Sequence, residues 1–252
     1  MRPIEVFYHV YIPGDLRATM WTWWIDQQLQ LIKQSRLSSI AKINMAITMP
    51  YFWTSIGAIN FTENNNKINK ITFGEKVREY INCRYPFVNI VNIRDVSSNI
   101  YEGQTLKILY DRCCETDIDV LYIHTKGVVS ASASVSNWRE ILNHFCITEW
   151  PNCIKQLETS DVVGIKDITS SNDIISGNFW WSKSSHIVKL LDPLDTSRYV
   201  SDVNLHPSGP AYRYGFEKWI LQHSPKIHHL VDTATDHFDN YCFLENVLNP
   251  NG

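Results

Sequence analysis

The sequence predicts an α/β fold in a single domain, with a mixed, mainly parallel sheet flanked by helices. Two observations lead to this prediction. Runs of β-branched and aromatic residues alternate with helical patterns along the first half of the chain, and such alternation builds β-α-β units and a parallel sheet. The chain has 252 residues, 44% of them hydrophobic, which is enough for one sizeable core. No internal repeat divides it, so we expect one domain over residues 1–252.

The elements of the first half follow from local patterns. Residues 4–12 are β-branched and aromatic and are closed by Pro13-Gly14, which predicts a strand and a turn. Apolar residues at helical spacing predict a helix over residues 16–34. The same reasoning predicts a strand over 42–49, a polar surface excursion over 57–70, a helix over 74–83, a strand over 88–93, a helix over 104–114 and a strand over 120–123.

The second half is less regular. Residues 128–136 are rich in serine and alanine, which predicts a mobile loop of the kind that can act as a lid. The patterns after it predict a helix over 137–149, a strand over 161–165, an aromatic strand or turn over 174–181, a helix over 184–191 and a helix around 216–222, with loops elsewhere.

Composition narrows the function classes. The net charge of −3 disfavours duplex nucleic acid as a partner, and small molecules or neutral polymers fit better. The N-terminus lacks a signal-peptide pattern and no apolar run is long enough to span a membrane, so we expect a cytoplasmic protein. The six cysteines show no C-x-x-C spacing, so we expect reduced thiols and neither a zinc site nor a disulfide framework.

The most informative motif ends the predicted strand 120–123. The apolar run stops at His124-Thr125-Lys126-Gly127, here called the tetrad. Its ammonium, hydroxyl and imidazole groups, with a glycine that lets backbone N–H groups approach, suit a diphosphate. Ligands of open α/β sheets bind at the carboxyl ends of strands, which is where the tetrad lies. Alternatively, the tetrad is a solvated turn.

The tetrad and four other motifs together resemble GT-A-fold glycosyltransferases. The similarity is to a subgroup that carries His-Thr-Lys-Gly where most members have Asp-x-Asp, found in bacterial polysaccharide clusters and large algal (chlorella-type) viruses. It extends from about residue 4 to residue 220. The other motifs are Tyr101-Glu102-Gly103-Gln104-Thr105-Leu106, Trp138-Arg139, Ser176-Gly177-Asn178-Phe179-Trp180-Trp181 and Tyr214-Gly215-Phe216-Glu217-Lys218-Trp219-Ile220.

The resemblance implies a GT-A-like fold and a transfer reaction. The sugar would move from a nucleoside diphosphate-sugar, with a UDP-linked donor as first choice, to a saccharide hydroxyl in glycan or polysaccharide synthesis. Residues from about 1 to 127 would form the nucleotide-sugar-binding half, and residues from about 128 to 252 the acceptor-binding half.

The resemblance also assigns donor-side residues. The end of the first strand would hold the nucleobase, with Tyr11 able to stack on it, although Tyr11 could instead be ordinary strand packing. Glu102 and Thr105 would bond sugar hydroxyls, although Thr105 could instead cap a helix. Lys126, helped by Arg139, would stabilise the leaving diphosphate. The donor-side set is His9, Val10, Tyr11, Glu102, Thr105, His124, Thr125, Lys126, Gly127 and Arg139.

The tetrad departs from the family pattern at the metal position. An Asp-x-Asp pair would bind Mn²⁺ or Mg²⁺ through carboxylate oxygens, whereas Lys126 would repel a cation. Stabilisation of the leaving group without a metal or other cofactor is therefore our first choice. A site formed by His124 and His237 keeps Mn²⁺ or Mg²⁺ open as an alternative.

Acceptor-side residues follow from the aromatic motif. Aromatic faces and an amide suit a saccharide, which gives Trp138, Gly177, Asn178, Trp180 and Trp181 as acceptor contacts. Aromatic residues are often core, and we expect at least one of Phe179, Trp180 and Trp181 to be core.

The resemblance also implies a catalytic base in the last motif. Glu217 would take the acceptor proton, or would be only an acid in the first turn of a helix. Asp167 and Asp239 are weaker candidates for this role. We interpret His223, His228 and His229 as surface residues.

Two other classes remain open. A catalytically silent nucleotide-sugar or glycan-binding module is favoured by the missing Asp-x-Asp. A Rossmann-type sugar reductase would need G-x-G-x-x-G after its first strand, and the turn that begins at Tyr11 supplies only Gly14.

Overall fold

The computed structural model describes residues 2–13, 20–49, 73–95, 102–125, 133–166, 175–195 and 212–231, with Ser134 and residues 212–214 described in their backbone only. The strands are β1 (Ile4–Tyr11), β2 (Ala41–Met49), β3 (Val88–Asp95), β4 (Asp119–His124), β5 (Val162–Lys166), β6 (Ile175–Lys183) and β7 (Ile227–His229). The α-helices are α1 (Trp21–Gln34), α2 (Phe73–Arg84), α3 (Gly103–Glu115), α4 (Ala133–Asn143), α5 (Trp150–Leu157), α6 (Ser184–Ile187) and α7 (Tyr212–Trp219).

The strands form one mixed, mainly parallel sheet. Their order within the described residues is β3-β2-β1-β4-β6-β5-β7. β6 runs antiparallel to both of its neighbours, β4 and β5, whereas β1 to β4 are mutually parallel and β5 is parallel to β7. The predicted fold class, an α/β fold with a mainly parallel sheet flanked by helices, is confirmed.

Each face of the sheet carries its own apolar layer. Side chains alternate along a strand, so Val6 and Tyr8 of β1 join one core with α1, whereas Phe7 joins another with α3. We call the two sides the α1 face, which also holds α2, α4 and α5, and the α3 face, which also holds α6 and α7. Because helices cover both faces, the central strands are apolar along almost their whole length.

The strand order reverses direction between β1 and β4. The chain continues from β1 to β2 on one side, whereas β4 pairs with β1 on the other. Loops that leave two such strands in opposite directions open a crevice at the carboxyl ends, and open α/β sheets bind ligands there. The last residues of β1 and β4, which include His9, Tyr11 and His124, border this crevice.

Several predicted element boundaries are wrong. The predicted helix over 184–191 is only Ser184–Ile187, because the chain leaves the helix ahead of Asp192 and Pro193. The predicted loop over 128–136 includes the start of α4, which begins at Ala133. The predicted helix over 137–149 ends at Asn143 and continues as a π-helix over His144–Thr148.

Two elements were missed. A helix over Trp150–Leu157 begins with Pro151 in its first turn, where proline costs no hydrogen bond. The short strand Ile227–His229 pairs with β5, and pairing with a neighbour rather than local pattern creates such strands. The expected surface position is confirmed for His223, which is exposed, whereas His228 and His229 within β7 are half-buried. The predicted excursion over 57–70 lies outside the described residues.

Within the described residues we find no helix that is both long enough and apolar enough to span a membrane.

Candidate functional site

The carboxyl end of β1 is joined to α3 through His9. Its Nδ1 lies 2.8 Å from the Thr105 hydroxyl, in the first turns of α3, and both side chains are buried. Burial lowers the pKa of His9 from 6.5 to about 4, so the ring is neutral at physiological pH. The helix-cap alternative for Thr105 does not hold, because the residue that precedes α3 is Glu102 and the Thr105 hydroxyl bonds His9 instead.

The two strand ends are also tied together through Thr125. Its N–H donates to the His9 carbonyl at 3.0 Å, and its hydroxyl accepts from the Tyr11 N–H at 2.9 Å. Thr125 is buried and Tyr11 is half-buried. Val10 is fully buried, so its side chain belongs to the core beneath the site. Thr125, the residue that follows β4, is therefore held against the end of β1.

Glu102 is a buried carboxylate at the N-terminus of α3. It is 6% exposed and accepts from the Tyr122 hydroxyl at 2.8 Å and from Asn178 Nδ2 at 3.0 Å. The positive end of the helix dipole also favours a negative charge at this position. Burial, then the neighbouring Glu102 and Glu217, raise the pKa of Tyr122 well above its usual value, so the phenol remains a hydrogen-bond donor.

An irregular stretch of backbone within β6 brings Gly177 and Asn178 to this carboxylate. Both have left-handed backbones, with φ of 63° and 55°. The Asn178 amide accepts from Trp180 Nε1 at 2.8 Å while it donates to Glu102. The Gly177 carbonyl lies 2.7 Å from His124 Nε2. Residues predicted for the donor side and for the acceptor side are thus in direct contact.

Glu217 approaches the same cluster on α7. The ring of Phe216 covers Gly103 so closely that a Cβ added there would lie 2.6 Å from Phe216 Cε1. This packing places α7 at the N-terminus of α3. Glu217 is half-buried, and its field reaches Tyr122. Two carboxylates in different environments, Glu102 and Glu217, therefore both raise the pKa of Tyr122.

Arg139 lies on the α1 face, opposite the His124 side chain. It is 2% exposed, its Nε donates to Gln27 Oε1 at 3.1 Å, and its guanidinium lies 5.2 Å from the ring centre of Trp23. Burial lowers the pKa of this guanidinium. The structure places Arg139 among α1 residues and does not bring it to the cluster around Glu102.

The tryptophans of the predicted acceptor side serve the core. Trp180 and Trp181 are 0% exposed, as is Phe179, so the expectation that at least one of the three is core is confirmed, and in fact all three are. Trp181 Nε1 donates to the Cys146 carbonyl at 2.9 Å on the α1 face. Trp138 is half-buried, and its Nε1 donates to Ser176 Oγ at 2.9 Å. A fully enclosed ring offers no face to a saccharide, so we leave Trp180 and Trp181 out of the proposed acceptor contacts.

Five predicted residues lie outside the described ranges: Lys126, Gly127, Asp167, His237 and Asp239.

Only His124 of the proposed metal pair lies within the described residues. Across these ranges, no group of three or more His, Cys, Asp or Glu residues could hold a metal ion. His124 Nε2 is already engaged by the Gly177 carbonyl. His237, the other residue of this alternative, lies outside the described residues, so the alternative with Mn²⁺ or Mg²⁺ stays a prediction.

Three polar residues of the site, Tyr122, Gln28 and Asn143, were not predicted from the sequence. Tyr122 precedes His124 by two positions, and in a strand such residues share a face, so period-two alternation could have found it. Gln28 Nε2 donates to the His124 carbonyl at 3.3 Å and to Asn143 Oδ1 at 3.1 Å. His124 and Asn143 lie 96 and 115 residues from Gln28 in the sequence, so local sequence patterns do not indicate these contacts.

Comparison with known proteins places the chain in a family. No curated protein matches it. A crystal structure of a "putative nucleotide-diphospho-sugar transferase" from Desulfovibrio desulfuricans G20 is similar at 10% identity and a TM-score of 0.41, over 97% of this chain and 91% of that one. A likeness this distant does not bear on ligand or activity. The family model described as a domain of unknown function, DUF8361, matches residues 7–229, and the chain therefore belongs to the DUF8361 family.

Proposed function

We propose that this protein is a glycosyltransferase that moves a sugar from a nucleoside diphosphate-sugar to a saccharide hydroxyl. A UDP-linked donor and a role in glycan or polysaccharide synthesis are our first choices. One observation carries the proposal: motifs far apart in sequence converge at the carboxyl ends of β1 and β4. Glu102 bonds Asn178, and His124 bonds Gly177. The crevice at this reversal of strand order is where α/β sheets bind nucleotides.

The donor would lie across the strand ends. Its base would lie beside the end of β1 at Tyr11, and its diphosphate would lie against the tetrad. Lys126 and the backbone N–H groups at Gly127 would stabilise the charge that grows as the glycosidic bond breaks. A charge-assisted hydrogen bond contributes about 1.5–3 kcal/mol, so one lysine assists usefully. Lys126 would be the principal counter-charge in this proposal, because the Arg139 guanidinium is buried and bonds Gln27 of α1.

The two carboxylates would have separate roles. Glu102 is buried and already accepts two hydrogen bonds, so it orients its neighbours. Glu217 is half-buried and more accessible. The acceptor hydroxyl loses a proton as it attacks the anomeric carbon, and Glu217 would receive that proton. Attack in line with the leaving group would invert the anomeric centre.

A silent nucleotide-sugar or glycan-binding module is the second candidate. It is favoured by the mutual bonding of Glu102 and Asn178, which uses polar groups that a transferase would direct at substrate. Such a module would bind a nucleotide sugar or a glycan and release no nucleoside diphosphate.

A ligand screen separates these candidates. Thermal unfolding is measured with UDP-, GDP-, dTDP- and CMP-sugars, with and without Mn²⁺, and a ligand at a hundred times its Kd stabilises by about 2.7 kcal/mol. We expect one class of nucleotide sugar to raise Tm without Mn²⁺. With that donor and an acceptor present, we also expect release of the nucleotide. No shift with any nucleotide sugar would contradict the proposal, and a shift without release would favour the binding module.

A further inference from the structure

Gln28 is the polar member of the buried face of α1. The other buried residues of this helix are all apolar: Trp24, Ile25, Leu29 and Ile32. Gln28 is 0% exposed, and burial of an amide costs free energy unless the amide is hydrogen-bonded. The partners of this amide therefore show what Gln28 does in the fold.

The amide nitrogen of Gln28 joins two distant points of the chain. Nε2 donates to the His124 carbonyl at 3.3 Å and to Asn143 Oδ1 at 3.1 Å. A backbone carbonyl can only accept, so the nitrogen of this amide, and not its oxygen, faces His124. His124 ends β4 and begins the tetrad, whereas Asn143 ends α4. One side chain of α1 thus holds both ends of the segment from His124 to Asn143.

The peptide unit between His124 and Thr125 is held from two sides. Its carbonyl accepts from Gln28 of α1, and its N–H donates to the His9 carbonyl of β1 at 3.0 Å. Because a peptide unit is planar, two bonds at its opposite ends fix its orientation. The next peptide unit along the chain leads to Lys126.

The amide oxygen of Gln28 gains nothing from its burial. Within the described residues, Gln28 Oε1 and Asn143 Nδ2 are buried and have no hydrogen-bond partner. Buried polar atoms without a partner destabilise the folded state. An apolar side chain of the same length would avoid these unsatisfied atoms, so we attribute the role of Gln28 to the groups that Nε2 holds.

We propose that Gln28 is a positioning residue for the tetrad. Its amide fixes the peptide unit through which the chain enters Lys126 and Gly127, and it ties that unit to the end of α4. The ligand rests on the proposed function: the diphosphate of a nucleotide sugar meets donors that are already oriented, and such preorganisation raises affinity. Gln28 itself is fully buried and acts through the backbone of His124.

Hydrogen exchange of the ligand-free protein tests this anchor. Gln28→Met keeps the length of the side chain but removes the donor. The Thr125 N–H should then exchange about three- to tenfold faster relative to the Ile12 N–H, which is the range of one neutral hydrogen bond. The Ile12 N–H is a suitable reference because it donates to the Thr48 carbonyl of β2 at 2.9 Å, a bond that does not involve Gln28. A general loss of stability would not raise the ratio, and an unchanged ratio in folded Gln28→Met would overturn the proposal.

Two further variants separate the anchor from a loosening of the whole helix. Gln30→Met is the matched control, because Gln30 lies on the same helix and its Nε2 donates to the Tyr85 hydroxyl at 3.4 Å. We expect the exchange ratio to stay constant in Gln30→Met and to rise in Asn143→Leu, in which Gln28 loses one of its two acceptors. An equal rise in Gln30→Met would overturn the role of the Gln28 bonds. An unchanged ratio in Asn143→Leu would overturn the tie to α4.

Binding of the donor tests the effect on the ligand. The Kd of the nucleotide sugar found by the thermal screen should rise about three- to tenfold in Gln28→Met and stay constant in Gln30→Met. An unchanged Kd beside faster exchange at Thr125 would overturn the positioning role. If no nucleotide sugar binds the wild-type protein, the proposed function and this effect on affinity both fail, whereas the exchange ratio still decides whether Gln28 anchors the peptide unit.

Discussion

At the scale of single residues, the site depends on polar groups that are buried and bonded to each other. His9 is the clearest case, because its ring is 6% exposed and its partner is a hydroxyl rather than a carboxylate. Burial disfavours a proton on this ring and lowers its pKa to about 4. The folded state therefore favours the neutral form of the His9 ring.

This requirement predicts a pH dependence of stability. The unfolded chain binds a proton at His9 near pH 6.5, whereas the native chain binds it only near 4, so unfolding takes up a proton between these values. The stability is fully present above pH 6.5 and is lost as pH falls towards 4, by about 3 kcal/mol.

His9→Asn provides the comparison, because its amide can still reach Thr105 and does not titrate. Denaturant unfolding at a series of pH values should show a flatter decline for the variant. Burial also lowers the pKa of His144 and His186, so part of the decline persists in both proteins. Parallel curves for wild type and His9→Asn would contradict the assignment.

A second prediction at the residue scale concerns the effect of Glu217→Gln on turnover. If it accepts the acceptor proton, Glu217→Gln removes the base but keeps the size of the side chain, and kcat should fall about 10²- to 10⁴-fold. The donor Kd should change little. Steady-state rates and calorimetric binding separate the two effects, with the exposed neighbour Lys218→Gln as control. An unchanged kcat would remove Glu217 as the base.

At the scale of elements, one close contact sets where Glu217 lies. The N-terminus of α3 meets α7 where Gly103 lacks a side chain and Phe216 fills the space. The sequence motifs that contain these residues are separated by more than a hundred positions, and the contact explains why a glycine and an aromatic residue belong to the same site.

Gly103→Ala should disturb this contact. The added Cβ would lie 2.6 Å from Phe216 Cε1 and 3.2 Å from Leu194 Cδ2, and overpacking of this kind costs about 1–3 kcal/mol. We expect a lower free energy of unfolding and a lower kcat, because α7 must shift. The double variant Gly103→Ala/Phe216→Leu should recover part of both in denaturant melts and rate assays. Additive losses would show that the two residues are not coupled.

The elements that the sequence predicted well are those whose burial creates a periodic pattern. β1, β2 and α1 to α3 have apolar residues at strand or helical spacing, and their predicted bounds differ by few residues from those observed. α5, β7 and the short α6 are defined by neighbours: α5 packs beside the π-helix after α4, and β7 exists only by pairing with β5.

The same distinction applies to the site. The position of His9 and His124 near strand ends could be predicted because the end of an apolar run is visible in the sequence, whereas their role in a donor site stays a prediction. Trp180 and Trp181 were assigned to a ligand because an aromatic run resembles a sugar platform, yet both faces of β6 are covered and both rings are core. Gln28 could not be predicted, because its role depends on α1 crossing the exit of β4.

At the scale of the whole molecule, the polar groups at the two ends of the sheet differ in what they contact. Towards the amino ends, the buried carboxylate of Glu5 bonds Arg112 at 2.8 Å and Asn44 at 2.8 Å, and Arg2 pairs with Asp119 at 2.8 Å. These pairs connect strands to α3 and to the N-terminus. The polar groups at the carboxyl ends instead surround the crevice.

Arg112→Gln should therefore affect stability and not binding. It leaves the Glu5 carboxylate, whose side chain is 4% exposed, without its counter-charge, and an unsatisfied buried group costs about 1–3 kcal/mol. We expect a lower Tm and an unchanged nucleotide-sugar Kd, measured below the melting range. Arg78→Gln, an exposed substitution on α2, is the control. A large change in Kd would contradict this division.

If the tetrad stabilises a leaving nucleoside diphosphate, as we propose, Lys126→Ala should lower the transfer rate. The rate is measured with the donor found by the thermal screen, beside wild type and the exposed-lysine control Lys189→Ala, with circular dichroism to verify the fold. We expect a loss of about 10²- to 10³-fold in kcat for Lys126→Ala alone, with the fold intact. Turnover near the wild-type rate by folded Lys126→Ala would contradict it.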